Sequence, residues 1–284
     1  MPSMLDGCTP WPEEFADRYW MAGHWRGDTL DNLLRDGAVR YGPRTALAHG
    51  DTRITYAALN RRVDRMAAGL LLLGLRPGQR IVVQLPNVPE FVSTVFAVMR
   101  AGLVPVLCPL SHRMPEVSEL VRVTEAIGYV GPSTYEGVDH TKMAAEIATQ
   151  GPFLRRVFTY DPPGESSPYD GITVDSSCCH YIPLSSVDSP PGPAPRQSSD
   201  QVALLLPAGG PGTAPSLVPR THNDYAYAAR PGRQPGGDRP PDRRVRQDAG
   251  LRHRLKTARA RDGGPRWARR RWARRRWPGR RWPR

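Results

Sequence analysis

The stretch Leu204-Leu205-Leu206-Pro207-Ala208-Gly209-Gly210-Pro211-Gly212-Thr213-Ala214-Pro215-Ser216-Leu217-Val218-Pro219-Arg220-Thr221-His222-Asn223-Asp224-Tyr225 passes from an apolar run into a Gly-rich loop. A second short apolar run and a helix start follow. Glycine has no Cβ, so backbone N–H groups in such a loop can approach a bound anion closely. An ordinary turn between two strands has the same composition. Pro211 removes one backbone donor from the loop.

Upstream, helical and strand patterns alternate. Leu30, Leu33, Leu34 and Ala38 form a helical stripe with Asp28 or Thr29 as N-cap. Thr45 to His49 and Arg53 to Tyr56 read as two strands joined at Gly50-Asp51. Ala57 to Leu73 reads as a helix, with Leu59, Val63, Met66, Ala67 and Leu70 on one face and Gly74 closing it. Strands are expected at Arg80 to Leu85, Leu103 to Cys108, Ile127 to Val130 and Leu154 to Thr159. Helices are expected between them, at Pro89 to Arg100, Pro115 to Ala126 and His140 to Thr149. Such alternation implies an α/β fold, with a mostly parallel sheet and flanking helices. Residues 161 to 200, rich in Pro, Ser, Gly and Asp, read as a long loop, and Gln201 to Leu206 returns to the sheet. Residues 1 to 28 read as an irregular arm whose Trp11, Phe15, Tyr19, Trp20 and Trp25 pack on the body.

The charge is unevenly spread. The last 55 residues hold 20 Arg, one Lys and four Asp, a net +17, so the first 229 carry −4 of the total +13. That last segment has Val245, Leu251 and Leu255 as its only large aliphatic residues. It cannot bury enough apolar surface to offset roughly 1–2 kcal/mol of backbone ordering per residue, and disorder is expected. Trp267, Trp272, Trp277 and Trp282 recur every five residues, a spacing that builds no common face on a helix or a strand. Polyanion binding, with Arg on phosphates and Trp on bases, is one reading. An anionic membrane surface is a second. The abrupt change of composition also fits a reading frame shifted in GC-rich DNA, and that is the expectation for 229–284.

Cys8, Cys108, Cys178 and Cys179 lack metal-ligand spacing, so no zinc site is expected, and Cys178-Cys179 reads as two thiols. There is no basic segment leading into an apolar core, and no apolar run reaches the roughly 18 residues of a membrane span. A cytoplasmic chain without a transmembrane segment is expected.

The Gly-rich stretch resembles the phosphate loop of adenylate-forming ligases, whose pattern is Ser-Gly-Gly-Thr-Thr-Gly-x-Pro-Lys. The run from Pro219 to Tyr225 is similar to the branch that adenylates aryl acids such as 2,3-dihydroxybenzoate or salicylate for siderophore assembly. So are Trp11 to Tyr19, Gly23 to Gly27 and Thr29-Leu30 near the start. Leu85-Pro86-Asn87 with Glu90-Phe91, Ala101-Gly102 with Val104-Pro105-Val106, and Ser111-His112-Arg113 extend the likeness. It covers about Thr9 to Ala228. The resemblance implies an N-terminal arm at 1–28 and a partial adenylation domain at 29–228, followed by the basic tail. It implies ATP and Mg²⁺ as cofactors, and an aryl acid and an aryl carrier protein as partners. Another acyl-activating enzyme, such as an acyl-CoA synthetase, is the alternative.

On that resemblance Gly209, Gly210, Gly212, Thr213 and Ser216 form a degenerate ATP phosphate loop. Ala208 stands where the pattern has Ser, Pro211 and Gly212 where it has two Thr, Thr213 where it has Gly, and Ser216 where it has Lys. The hydroxyls and the ammonium that neutralise phosphate are therefore gone, and with them the expectation of useful ATP binding. The aryl-pocket segment, the adenine-binding strand, the ribose Asp and the catalytic Lys have no counterparts in 229–284. An inactive fragment is expected, and no residue is assigned a catalytic role. His222 is a candidate contact to the acid or simply a residue opening a helix. Asn223 and Asp224 read as caps, and His112 as a surface turn residue.

Overall fold

A computed structural model of the chain describes residues 5, 7–162, 164, 172–174, 179–208 and 216–229. Gly209, Gly210, Gly212 and Thr213 of the expected phosphate loop lie outside the described residues, as do Cys178 and residues 230–284 of the expected disordered tail.

Helices α1 (Glu13–Met21) and α2 (Leu30–Tyr41) precede a hairpin of β1 (Thr45–His49) and β2 (Thr52–Thr55). Then come α3 (Tyr56–Leu72), β3 (Arg80–Val83), α4 (Pro89–Arg100), β4 (Val104–Leu107), α5 (Met114–Thr124) and β5 (Gly128–Pro132). A small hairpin of β6 (Thr134–Tyr135) and β7 (Val138–Asp139) leads into α6 (His140–Gln150) and β8 (Arg156–Tyr160). The described part closes with β9 (Thr173–Val174), β10 (His180–Pro183), a 3-10 turn (Leu184–Ser186), β11 (Val202–Ala208), β12 (Ser216–Thr221) and α7 (His222–Ala228).

The main sheet runs β12-β11-β4-β3-β5-β8-β10-β9. Its six inner strands are parallel, and β12 and β9 run antiparallel at the two edges. Successive side chains of a strand point to opposite faces, and the sequence uses that alternation. Ile81, Val83, Val130, Phe158 and Ile182 face one layer, with Val63, Met66 and Leu70 of α3 and Ala97 and Val98 of α4. Val82, Tyr129, Val157 and Tyr181 face the other, with Val117, Leu120 and Val121 of α5 and Met143 and Ile147 of α6. Both faces of the sheet are thus covered, which explains why its strands read as continuous apolar runs.

Two expectations are corrected. Residues 161–200 are not one loop, because β10 adds to the sheet parallel to β8, with Ile182 opposite Phe158. Its His-Tyr-Ile-Pro is short and set among Ser and Pro, so composition concealed a strand whose Tyr181 and Ile182 feed opposite layers. The arm at 1–28 is not irregular throughout, since Glu13–Met21 is helical. Pro12 precedes that helix, and Glu13 and Glu14 complement the positive end of its dipole. Of the five aromatic residues expected to pack on the body, Tyr19 and Trp25 are buried, with ring centroids 5.3 Å apart, whereas Trp20 is exposed.

A buried polar cluster locks the first layer. Arg100, at the end of α4, pairs with Asp31 of α2 and, at 2.9 Å, with Asp64 of α3. The Asn60 backbone carbonyl and Oδ1 accept from the same guanidinium at 3.1 and 2.9 Å. A buried guanidinium is tolerable only with such complete pairing.

Candidate functional site

The topology points to the site. β3 leads into α4 on one face of the sheet, whereas β4, its parallel neighbour, leads into α5 on the other. Connections that leave adjacent parallel strands for opposite faces open a crevice at their carboxyl ends, the usual ligand position in such sheets. A cavity of about 390 Å³ lies there. Leu85, Pro86 and Asn87 after β3, Phe91 of α4, Leu107 to Leu110 after β4, and Leu206 and Pro207 of β11 line it. Its wall is almost wholly apolar. A larger cavity of about 460 Å³ opens at the other end of the strands, beside Gln79, Arg80, Val104 and Val202. Sheet topology favours the carboxyl-end crevice as the site despite its smaller volume.

The Gly-rich loop leaves β11 at Ala208 and enters β12 at Ser216, and these two residues are paired across the strands. The neck of the loop thus stands at the carboxyl edge, next to the crevice wall at Leu206 and Pro207. Both neck positions are among those substituted relative to the ligase pattern. Neither the hydroxyl at 208 nor the ammonium at 216 is present.

His222 is placed elsewhere. β12 ends with Thr221 opposite Val202, the first residue of β11, so α7 begins at the amino edge of the sheet. His222 borders the larger cavity there, not the crevice. Its ring is 3% exposed, and its Nδ1 accepts the Leu30 N–H at 3.1 Å. Burial pushes its pKa down to about 4, partly opposed by the Asp31 carboxylate. A contact to a substrate in the crevice requires a different position. The structure instead gives His222 the task of holding the first turn of α2. Its neighbours are structural too. Thr221 and Asp224 form a reciprocal capping box at 3.0 and 3.2 Å, and Asn223 Nδ2 donates to Asp200 Oδ1 at 2.8 Å.

His112 sits half-buried in the turn between β4 and α5, its Nδ1 3.7 Å from Cys108 Sγ. Burial, reinforced by Glu116, pushes the Cys108 thiol up to about 12, so it is not a ready nucleophile. Sequence reasoning missed Gln84, Tyr129 and His140, which are buried together beneath the crevice. Their partners are 11 to 45 positions apart along the chain, and no local spacing could reveal them.

An α/β sheet with this crevice, and a Gly-rich connection between β11 and β12 at its mouth, has the architecture of adenylate-forming ligases. The AMP-binding enzyme family matches residues 34–245, and the chain belongs to it. Triostin synthetase I of Streptomyces triostinicus is 40% identical over 227 residues, which are 80% of this chain and 40% of that protein. The 2,3-dihydroxybenzoate-AMP ligase of Bacillus subtilis is 37% identical over 225 residues, 79% of this chain and 39% of that one. The apo structure of Mycobacterium smegmatis MbtA superposes with a TM-score of 0.67 at 37% identity, covering 80% of this chain and 40% of that one. The chain thus spans about 40% of the length of the curated relatives it matches. No helix among the described residues is long and apolar enough to cross a membrane.

Proposed function

We propose that the chain is the N-terminal part of a ligase that activates an aryl acid, 2,3-dihydroxybenzoate or salicylate, as its acyl-adenylate for siderophore assembly. In the whole enzyme ATP and the acid give aryl-AMP and pyrophosphate with Mg²⁺, and the acyl group then passes to the thiol of an aryl carrier protein. The crevice between β3 and β4, with the β11–β12 connection at its mouth, carries this reading. The branch follows from the run Pro219 to Tyr225 and from the 2,3-dihydroxybenzoate-AMP ligase relative. The same run speaks against a general acyl-CoA synthetase.

The residues present do not fit a nucleoside triphosphate. Among the described residues, none that lines the crevice is Lys, Arg, Asp or Glu. Ser216 replaces the loop cation, and Pro211 deletes a backbone donor. Among the described residues no three His, Cys, Asp or Glu side chains gather to hold a metal. Charge stabilisation supplies much of the rate in such chemistry, so this chain is proposed to be inactive by itself. ATP–pyrophosphate exchange with either acid should equal a protein-free blank; exchange requiring both protein and acid overturns the proposal.

Residues 229–284 are proposed to be an out-of-frame product. One of the other two forward frames from about codon 229 should then read as an ordinary globular sequence of the ligase family. Early stops or equally biased sequence in both frames would refute this.

A further inference from the structure

Gln84, Tyr129 and His140 are 0%, 2% and 1% exposed. Gln84 follows β3, Tyr129 lies on β5 and His140 opens α6. Gln84 Nε2 donates to the Pro109 and His112 carbonyls at 2.8 and 3.0 Å. Both of its amide hydrogens are thereby used. Turning the amide over would set its oxygen against two carbonyl oxygens, so the orientation is forced. Gln84 Oε1 must then accept, and the Tyr129 hydroxyl, 2.7 Å away, is its donor. A hydroxyl has one hydrogen. His140 Nδ1, 3.1 Å from the same oxygen, must therefore donate to it. The proton of the neutral imidazole is fixed on Nδ1, and Nε2 is a bare lone pair. Nε2 has no partner among the described residues, and an unpaired lone pair is better tolerated in a core than an unpaired N–H. Burial and the nearby Arg113 charge push the His140 pKa down against Asp139, which keeps the ring neutral.

The two carbonyls at the end of this chain of bonds belong to the turn between β4 and α5, and Pro109 lines the crevice. Gly131, two residues beyond Tyr129, leaves room for the hydroxyl; a Cβ there would strike it. We propose that Gln84, Tyr129 and His140 are positioning residues, a one-directional buried relay that fixes the Cys108–Arg113 turn as the wall of the crevice. The meaning of that wall rests on the function proposed above, whereas the relay can be tested without any catalysis.

The test is made on the full chain. Cys108, in the turn, and Cys179, in the same helix–sheet layer, are both buried. Iodoacetamide labelling, resolved by peptide mapping, reads the opening of each. Tyr129→Phe keeps the ring and deletes the hydroxyl that donates to Gln84 Oε1. Labelling of Cys108 should rise about tenfold, the loss expected for one buried hydrogen bond left unmade, with Cys179 unchanged. Equal acceleration at both cysteines, or none at either, overturns the proposal. Should the variant not fold, ¹⁵N NMR of the unaltered chain decides: the His140 proton is expected on Nδ1, and a proton on Nε2 overturns the relay.

Discussion

The Arg100 guanidinium and the Asp31 carboxylate pair across α4 and α2 with side chains 1% and 7% exposed. Asp31 also accepts from Arg35 at 3.0 Å, and Asp64 approaches Arg35 at 3.5 Å. Removing the central cation leaves two carboxylates that Arg35 alone must balance. Arg100→Leu should destabilise the fold by roughly 3 kcal/mol or more, read as a lower urea midpoint. Asp31→Asn should cost less, because Asp64 still holds the guanidinium. A smaller loss for Arg100→Leu than for Asp31→Asn would show that the charge is not central.

Gly69 lies in the last turn of α3, where helix propensity alone favours alanine by up to about 1 kcal/mol. A Cβ there would stand 2.8 Å from the Asp188 nitrogen and 3.0 Å from the Val187 carbonyl carbon. Backbone cannot yield as a flexible side chain can, so the clash should win. Gly69→Ala is expected to destabilise by about 1–3 kcal/mol. A raised melting temperature would show that the segment after the 3-10 turn yields freely.

His222 links stability to pH. Its folded pKa is about 4 against an ordinary 6.5, so between these values the unfolded chain binds a proton that the folded chain refuses. Its contribution is full above pH 6.5 and is lost as pH falls toward 4, roughly 3 kcal/mol in all. His140 and His180 are also held below their ordinary values and act in the same direction. His222→Gln keeps an acceptor for the Leu30 N–H and removes the titration. The difference in urea midpoint between pH 7 and pH 5 should shrink in this variant but not vanish. An unchanged difference would refute the assignment.

The parts of the fold legible in the sequence are those set by local pattern. Helix α4 begins at Pro89 and ends at Arg100 as its first-turn proline and apolar spacing require. β3 and β5 are apolar because both of their faces are covered. β10 was not legible, since its four residues gain meaning only by lying beside β8. For the candidate site, the Gly-rich connection between two strands could be read, and so could its lost charges. The role of His222 could not, because its partner Leu30 is 192 positions away. Gln84, Tyr129 and His140 were equally hidden, as only the parallel pairing of β3 with β5 brings the first two together.

The central claim is that this chain keeps the scaffold of an aryl-acid adenylating ligase while its loop has lost the groups that hold phosphate. It is tested most directly by ATP–pyrophosphate exchange in two hybrids. Each joins residues 1–228 to the remaining part of the Bacillus subtilis relative. One keeps the loop as it stands, and the other carries Ala208→Ser, Pro211→Thr, Gly212→Thr, Thr213→Gly and Ser216→Lys. Exchange dependent on 2,3-dihydroxybenzoate is expected only from the restored hybrid. Equal exchange from both, or none from a restored hybrid that unfolds cooperatively, would contradict the account.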